Sequence, residues 1–276
     1  MLNSESILKL KTNGFIKVQK FLSDSELEKI QKICQYRCKS KGNKEGFFSH
    51  NFKSFLVKIL KLNFKKFNDD LRIFKITKEK KLSYIGQNFF GKTVEINNID
   101  GYISPKGNTV ILPWHTDRAY TDKHGDKNIK NFLHPDDCNL KIFIYLTNVG
   151  PGNGCMSYIP KSHEIGYHIR KGIFTKKLQY SPYWSLKQFR EFLKIKKNFD
   201  YITTSSDDKN LIDSFMKISE NLKDAGESEF DYEANPGDAI IFSEGGIHRG
   251  STPTKNDRLV LRYFYKPQKQ SYTVFE

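Results

Sequence analysis

At 276 residues the chain is long enough to bury a sizeable core, as one large domain or two small ones. Hydrophobic residues at 37% and charged residues at 28% make an ordinary globular balance, and no stretch reaches the roughly 20 apolar residues of a membrane span. The net charge of +15 lies in short, separate runs such as Lys78-Glu79-Lys80-Lys81 and Lys194-Ile195-Lys196-Lys197, which reads as a diffusely basic surface that would welcome an anionic small substrate, and argues against a nucleic-acid footprint.

Met1 to Leu10 carries Glu5 and Lys9 and has no apolar signal core, so the cytoplasm is the expected location. Asn13-Gly14-Phe15-Ile16-Lys17-Val18 reads as a turn and short strand. Ser23 with Glu26 is a capping box, and Leu27, Ile30, Ile33 and Cys34 continue it as an amphipathic helix over 24–39. Phe52, Phe55, Leu56, Ile59, Leu60 and Phe64 repeat the helical spacing within 51–85. Leu140, Ile142, Ile144 and Leu146 then alternate with Lys141, Phe143, Tyr145 and Thr147, the pattern of a half-buried strand.

A turn over Thr147–Gly154, a strand at Met156–Ile159, the turn Asn235-Pro236-Gly237-Asp238, a strand at Ala239–Phe242 and another at Arg258–Tyr265 complete the pattern. Such strands predict an antiparallel sandwich or barrel, and the N-terminal helices make the whole an α+β unit. Residues 165–230 interrupt the strands as a helical insertion, with helices expected over Leu186–Lys197 and Asn210–Lys223. An insertion of this length is a lid over the site or a packing appendage. Of Cys34, Cys38, Cys138 and Cys155, the first two share one helix face with no third cysteine nearby. They read as small apolar core residues in a reducing compartment.

The chemistry-bearing signal is His115-Thr116-Asp117, inside Pro113-Trp114-His115-Thr116-Asp117-Arg118, together with His248. Residues two apart on a strand face the same way, so His115 and Asp117 can chelate one metal without bending the backbone. Two imidazoles and a carboxylate cap one face of an octahedral Fe(II) and leave the other positions for a co-substrate and O₂. His-x-Asp alone occurs often by chance; the ordered motifs downstream lift it above that background. Asn153-Gly154 leads into Ile159-Pro160-Lys161-Ser162-His163, and Gly246-Ile247-His248-Arg249-Gly250-Ser251 is followed by Arg258 at the start of a strand. A guanidinium there can grip a dicarboxylate by a two-pronged ion pair.

Arg262 is four residues further along the same strand, so it faces the same way as Arg258. Inside a barrel it needs an anion, either an internal Asp or Glu or the bound substrate. Asn98, Tyr102, Trp114, Arg118, Tyr120 and Lys141 join Arg262 as candidates to line a substrate cavity. His124 and His134 read as solvated loop residues and His163 as a turn brace, while His50 and His168 carry no pattern.

This ordered set resembles the phytanoyl-CoA dioxygenase-like branch of the Fe(II)/2-oxoglutarate oxygenases, from Gly14-Phe15 to Tyr265, with about 165–230 outside the likeness. The resemblance implies a double-stranded β-helix, jelly-roll or cupin-like, as a single domain over 1–276. It implies His115, Asp117 and His248 as metal ligands, Arg258 as the residue on the distal carboxylate of 2-oxoglutarate, and Fe(II), 2-oxoglutarate and O₂ as the reacting set. Asn153-Gly154 and Pro160-Lys161-Ser162-His163 match the family's Asn-Gly and Pro-Gly-Ser-His turns, with Lys161 in place of glycine, which puts the backbone of that turn in question. Related halogenases carry a small residue at the place of Asp117, so an aspartate implies oxygen insertion.

The reaction so implied hydroxylates an unactivated C–H of a small metabolite, with the charge balance leaning towards an anionic one, and with release of succinate and CO₂. Desaturation, epimerisation or cyclisation on the same metal site are the alternatives, and a non-catalytic basic binding module is the alternative from another class. A small molecule is the expected partner; a nucleic-acid demethylase, suggested by charge alone, ranks below it.

Overall fold

The computed structural model describes residues 2–49, 64–107, 112–119 and 134–268. The helical pattern read across 51–63, and with it His50, Tyr120 and His124, lies outside the described residues.

α1 (Ser4–Asn13) ends at Gly14, whose left-handed φ of 80° turns the chain into β1 (Phe15–Val18). α2 (Asp24–Lys39) starts at the expected capping box: the Ser23 hydroxyl accepts from the Glu26 amide, and the Glu26 carboxylate accepts from the Ser23 amide at 2.7 Å. β2 (Lys44–Ser49), α3 (Phe64–Glu79), α4 (Leu82–Phe90) and β3 (Val94–Ser104) come next. After them lie β4 (Leu112–His115), β5 (Leu140–Tyr145), β6 (Met156–Tyr158) and the helices α5 (Ser162–Phe174), α6 (Leu186–Lys194), α7 (Lys196–Ser205) and α8 (Leu211–Ile218). β7 (Asp231–Tyr232), β8 (Ala239–Ser243), β9 (His248–Gly250) and β10 (Arg258–Pro267) close the chain.

The described strands form two antiparallel sheets, one ordered β1-β8-β5-β10-β3-β2 and one ordered β4-β9-β6-β7. One face of the larger sheet carries Leu140, Ile142, Ile144, Leu259, Leu261 and Tyr263, buried under Ile7 and Leu10 of α1, Ile30, Ile33 and Cys34 of α2 and Ile73 and Ile76 of α3. The opposite face carries Tyr145, Ile240, Phe242 and Val260, which pack against Met156 and Tyr158 of the smaller sheet. The alternation over 140–147 predicts one wet face; both are covered instead, one by helices and one by the second sheet. Alternation marks which residues share a face, and it is silent on whether water or a polar interior lies beyond.

The helical segment also departs from expectation. The single helix read over 186–197 is two, parted where Ile195 turns extended at ψ 116°, and α8 stops at Ile218. Phe189, Phe192, Leu193 and Ile202 all enter one core, so apolar spacing runs through the break unchanged. That core includes Trp114 of β4, Ile159 just past β6 and Ile247 of the loop ahead of β9, so the segment is packed into the fold beside β4.

Both family turns serve as braces. Lys161 takes the left-handed φ of 62° that glycine adopts freely, so the replacement keeps the turn at a cost of about 1 kcal/mol. Ser162 Oγ accepts from the Ile247 amide at 2.8 Å, which fixes the residue ahead of His248. His163 meets the Lys11 carbonyl through Nε2 at 3.0 Å and ties α5 to α1. Burial pushes the His163 pKa from 6.5 down to about 4. The unfolded chain therefore takes up this proton first. Stability is full above pH 6.5 and falls between 6.5 and 4, by on the order of 2 kcal/mol from this residue. Thermal unfolding followed across that window should show a flatter decline in His163→Asn.

Candidate metal centre

His115 and His248 are register partners on β4 and β9, with ring centroids 4.5 Å apart. Asp117 lies just past the end of β4, where its amide donates to the Glu244 carbonyl at 3.2 Å. One ligand atom from each of His115, Asp117 and His248 lies within 4.8 Å of the other two. His248 Nε2 is 3.1 Å from Asp117 Oδ2, and His115 Nε2 is 3.5 Å from Asp117 Oδ1.

The imidazoles are oriented for ligation. His115 Nδ1 sits 2.7 Å from the Pro113 carbonyl and His248 Nδ1 sits 3.0 Å from the Gly246 carbonyl. A carbonyl only accepts, so both protons belong on Nδ1 and both Nε2 lone pairs face the shared space. The histidines are 2% and 5% exposed while the Asp117 side chain is 32% exposed, which leaves the carboxylate side open to solvent or substrate. Burial alone would raise the Asp117 pKa; His248, Lys141 and His115 outweigh it and hold the carboxyl well below the usual range. Burial lowers the pKa of His248 against the pull of Asp117, so its neutral, metal-binding form persists below the ordinary histidine range. Two neutral imidazoles and one carboxylate on a partly open site fit a catalytic divalent iron.

The turn after β8 supplies a residue that no spacing rule marks. Glu244, 4% exposed, accepts from Arg118 Nε at 2.5 Å and from the Asn139 amide at 2.8 Å, and lies 3.3 Å from the Lys141 ammonium. Lys141 in turn donates to Asp117 Oδ2 at 2.5 Å. A chain of alternating charge thus runs from Arg118 through Glu244 and Lys141 to the triad carboxylate. A glutamate directly after Ser243, at the end of the apolar Ala239-Ile240-Ile241-Phe242 run, is the one hint the sequence offers. Trp184 is a second residue that spacing does not mark. Its carbonyl accepts from the Thr116 amide at 3.0 Å, and its half-buried indole lies 5.2 Å from the His115 ring between centroids. The helical segment therefore builds one wall of the centre.

Arg258 lies on the sheet face turned toward the smaller sheet. Its Nη1 donates to the Gly154 carbonyl at 3.1 Å and its Nη2 to Ser104 Oγ at 2.7 Å. Its buried Nε has no partner, and no carboxylate pairs with it among the described residues. Burial lowers its pKa, because a guanidinium enclosed without a counter-ion is costly. Gly154, at φ 73°, lets the turn approach: a Cβ there would stand 3.3 Å from Arg258 Cδ. Asn153 pins the turn by accepting from the Lys255 amide at 2.9 Å. The Asn-Gly turn thus shapes the pocket of Arg258.

The remaining candidates divide. Asn98, Tyr102, Lys141 and Arg262 share that inner face with Arg258. Arg262 is held by both oxygens of Asp100 at 2.6 and 2.9 Å, so its anion is internal. Arg118 is spent on Glu244, with Asp137 at 3.7 Å. Trp114 does not line a cavity: it is fully buried, its indole N–H donates to the Lys223 carbonyl at 3.0 Å, and Arg249 stacks on it. The reason is the strand's alternation, which sends Trp114 to the face opposite His115. His134 is exposed beside Asp136, and His168 sits one turn from Glu164 on α5.

A profile of the family described as Phytanoyl-CoA dioxygenase (PhyH) matches residues 10–259. The chain belongs to this family. No curated protein sequence matches it closely enough to count as a relative. Among solved structures, this family member is similar to the non-heme alpha ketoglutarate dependent carbocyclase SnoK from nogalamycin biosynthesis, at TM-score 0.58 and 12% identity, over 96% of this chain and 84% of that one. It is similar to HygX from Streptomyces hygroscopicus, crystallised with nickel and 2-oxoglutarate, at TM-score 0.54 and 14% identity, over 97% and 88%. It is also similar to the epimerase SnoN from nogalamycin biosynthesis, at TM-score 0.51 and 11% identity, over 95% and 79%. At these identities the likeness is one of fold: mixed helix and antiparallel sheet.

Proposed function

We propose that this family member is an Fe(II)- and 2-oxoglutarate-dependent oxygenase that hydroxylates an unactivated C–H bond of a small molecule, releasing succinate and CO₂. The observation that carries the reading is the convergence of two buried Nε2 lone pairs and the Asp117 carboxylate within 4.8 Å. Arg258, with a buried Nε that has no partner and with no carboxylate paired to it among the described residues, supports it from the sheet face turned toward the smaller sheet. The two sheets are read as the halves of a double-stranded β-helix in one domain, with the helical segment forming a wall of the site. Four free, buried cysteines accord with the cytoplasm as the location, and no helix among the described residues is long and apolar enough to cross a membrane.

His115, Asp117 and His248 would hold the iron, and Arg258 would bind the distal carboxylate of 2-oxoglutarate. The bound iron supplies oxygen activation driven by decarboxylation of the co-substrate. The chain's own part is to orient and to exclude. The Pro113 and Gly246 carbonyls fix the two rings, Glu244 and Lys141 steady Asp117, and the covered sheet face encloses the Arg258 Nε. Arg118 and Arg262 are ion-paired internally, so neither is left to favour an anionic substrate. The carbocyclase and epimerase among the neighbours favour ring closure or epimerisation as the second reading. Purified protein with Fe(II), O₂ and 2-oxoglutarate should form succinate, and a chelator should stop it. A protein that neither binds nor consumes 2-oxoglutarate would overturn the proposal; product analysis with a turned-over substrate separates the two readings.

A further inference from the structure

We propose that Lys141 is a built-in counter-cation of Asp117, competing with the metal and making metal affinity depend on a bound dianion. This rests on the metal centre proposed above. The Lys141 side chain is 12% exposed on β5, and its ammonium is 2.5 Å from Asp117 Oδ2. The same oxygen is 3.1 Å from His248 Nε2, so a lysine and a ligand lone pair converge on one carboxylate oxygen.

The other acid in reach is already committed. Glu244 holds Arg118 at 2.5 Å and takes both Asn139 donors, leaving Lys141 at 3.3 Å. Arg118 and Glu244 neutralise each other, so the charge of Lys141 is balanced chiefly by Asp117. Without a metal this is a neutral pair, and it spares a partly open carboxylate the cost of standing unpaired beside two buried imidazoles. A divalent cation on Asp117 leaves the ammonium and the metal facing each other at short range, with a local charge of two plus. A dianionic co-substrate cancels that charge; with Lys141 absent, the metal alone needs less cancelling. Binding of metal and dianion is therefore linked, and the linkage is reciprocal.

The test uses Co(II) as a redox-stable probe, with and without 2-oxoglutarate. Binding is read by Co(II) absorption and by quenching of indole emission, since Trp184 lies 5.2 Å from the His115 ring. In the parent, 2-oxoglutarate should tighten Co(II) binding. Lys141→Met should bind Co(II) alone roughly tenfold more tightly, about 1.4 kcal/mol, and gain less from 2-oxoglutarate. Lys141→Gln should do the same if the methionine variant folds poorly, and Lys141→Arg, which keeps the charge, should match the parent. Co(II) binding by the neutral variants that is equal to or weaker than the parent's would overturn the counter-cation role while leaving the metal centre standing. No Co(II) binding by the parent would overturn the centre and this inference together.

Discussion

His115→Ala and Asp117→Ala are each expected to lower succinate formation from 2-oxoglutarate by at least roughly a thousandfold, or about 4 kcal/mol of transition-state stabilisation. The loss should be near-complete because the centre has three protein ligands and no spare among the described residues: His134 and His168 lie outside the cluster. Loss of His115 also removes the cross-strand partner of His248. The fold should persist, since β4 is anchored independently by Trp114 in its buried core. Coupled assays for succinate, with thermal unfolding as the control, check this. Activity within tenfold of the parent in both variants would show that the cluster is not the seat of the reaction.

Arg258→Met should raise the KM for 2-oxoglutarate by roughly a hundredfold, about 3 kcal/mol, the cost of removing one partner of an enclosed charge pair. Apo stability should stay near the parent's, because an enclosed guanidinium without a carboxylate contributes little net stability. That split is the signature: a structural arginine would lose stability, and a co-substrate anchor loses affinity. Arg258→Lys should recover only part of the affinity, since an ammonium cannot form the two-pronged contact. Isothermal titration with 2-oxoglutarate, without O₂, reads the difference directly. Arg262→Met should behave in the opposite way, since it strands Asp100 in the interior, where 3% of that residue is exposed.

His115-x-Asp117 was legible because the chemistry is local. Two side chains two residues apart share a strand face whatever the rest of the chain does. Arg258 was legible for the same reason, as the first residue of a strongly apolar strand. The face-sharing of Arg258 and Arg262 also held, yet their fates diverged. The register of β10 against β3 sets Asp100 opposite Arg262 and Ser104 opposite Arg258. One arginine is neutralised, and the other has no carboxylate partner among the described residues.

The composition and the 2.0 and 3.6 periods thus sufficed for the α+β class, the capping box at Ser23, the principal strands and the three candidate ligands. They could not decide Glu244, Trp184, the partners of Arg118 and Arg262, or the inward burial of Trp114. Each of those depends on groups brought together across long stretches of chain, such as Glu244 with Arg118 and Trp184 with His115. Periodicity says which way a side chain points along its own strand. Only strand register and sheet packing say what it meets there, and at this centre those meetings set the charge around Asp117.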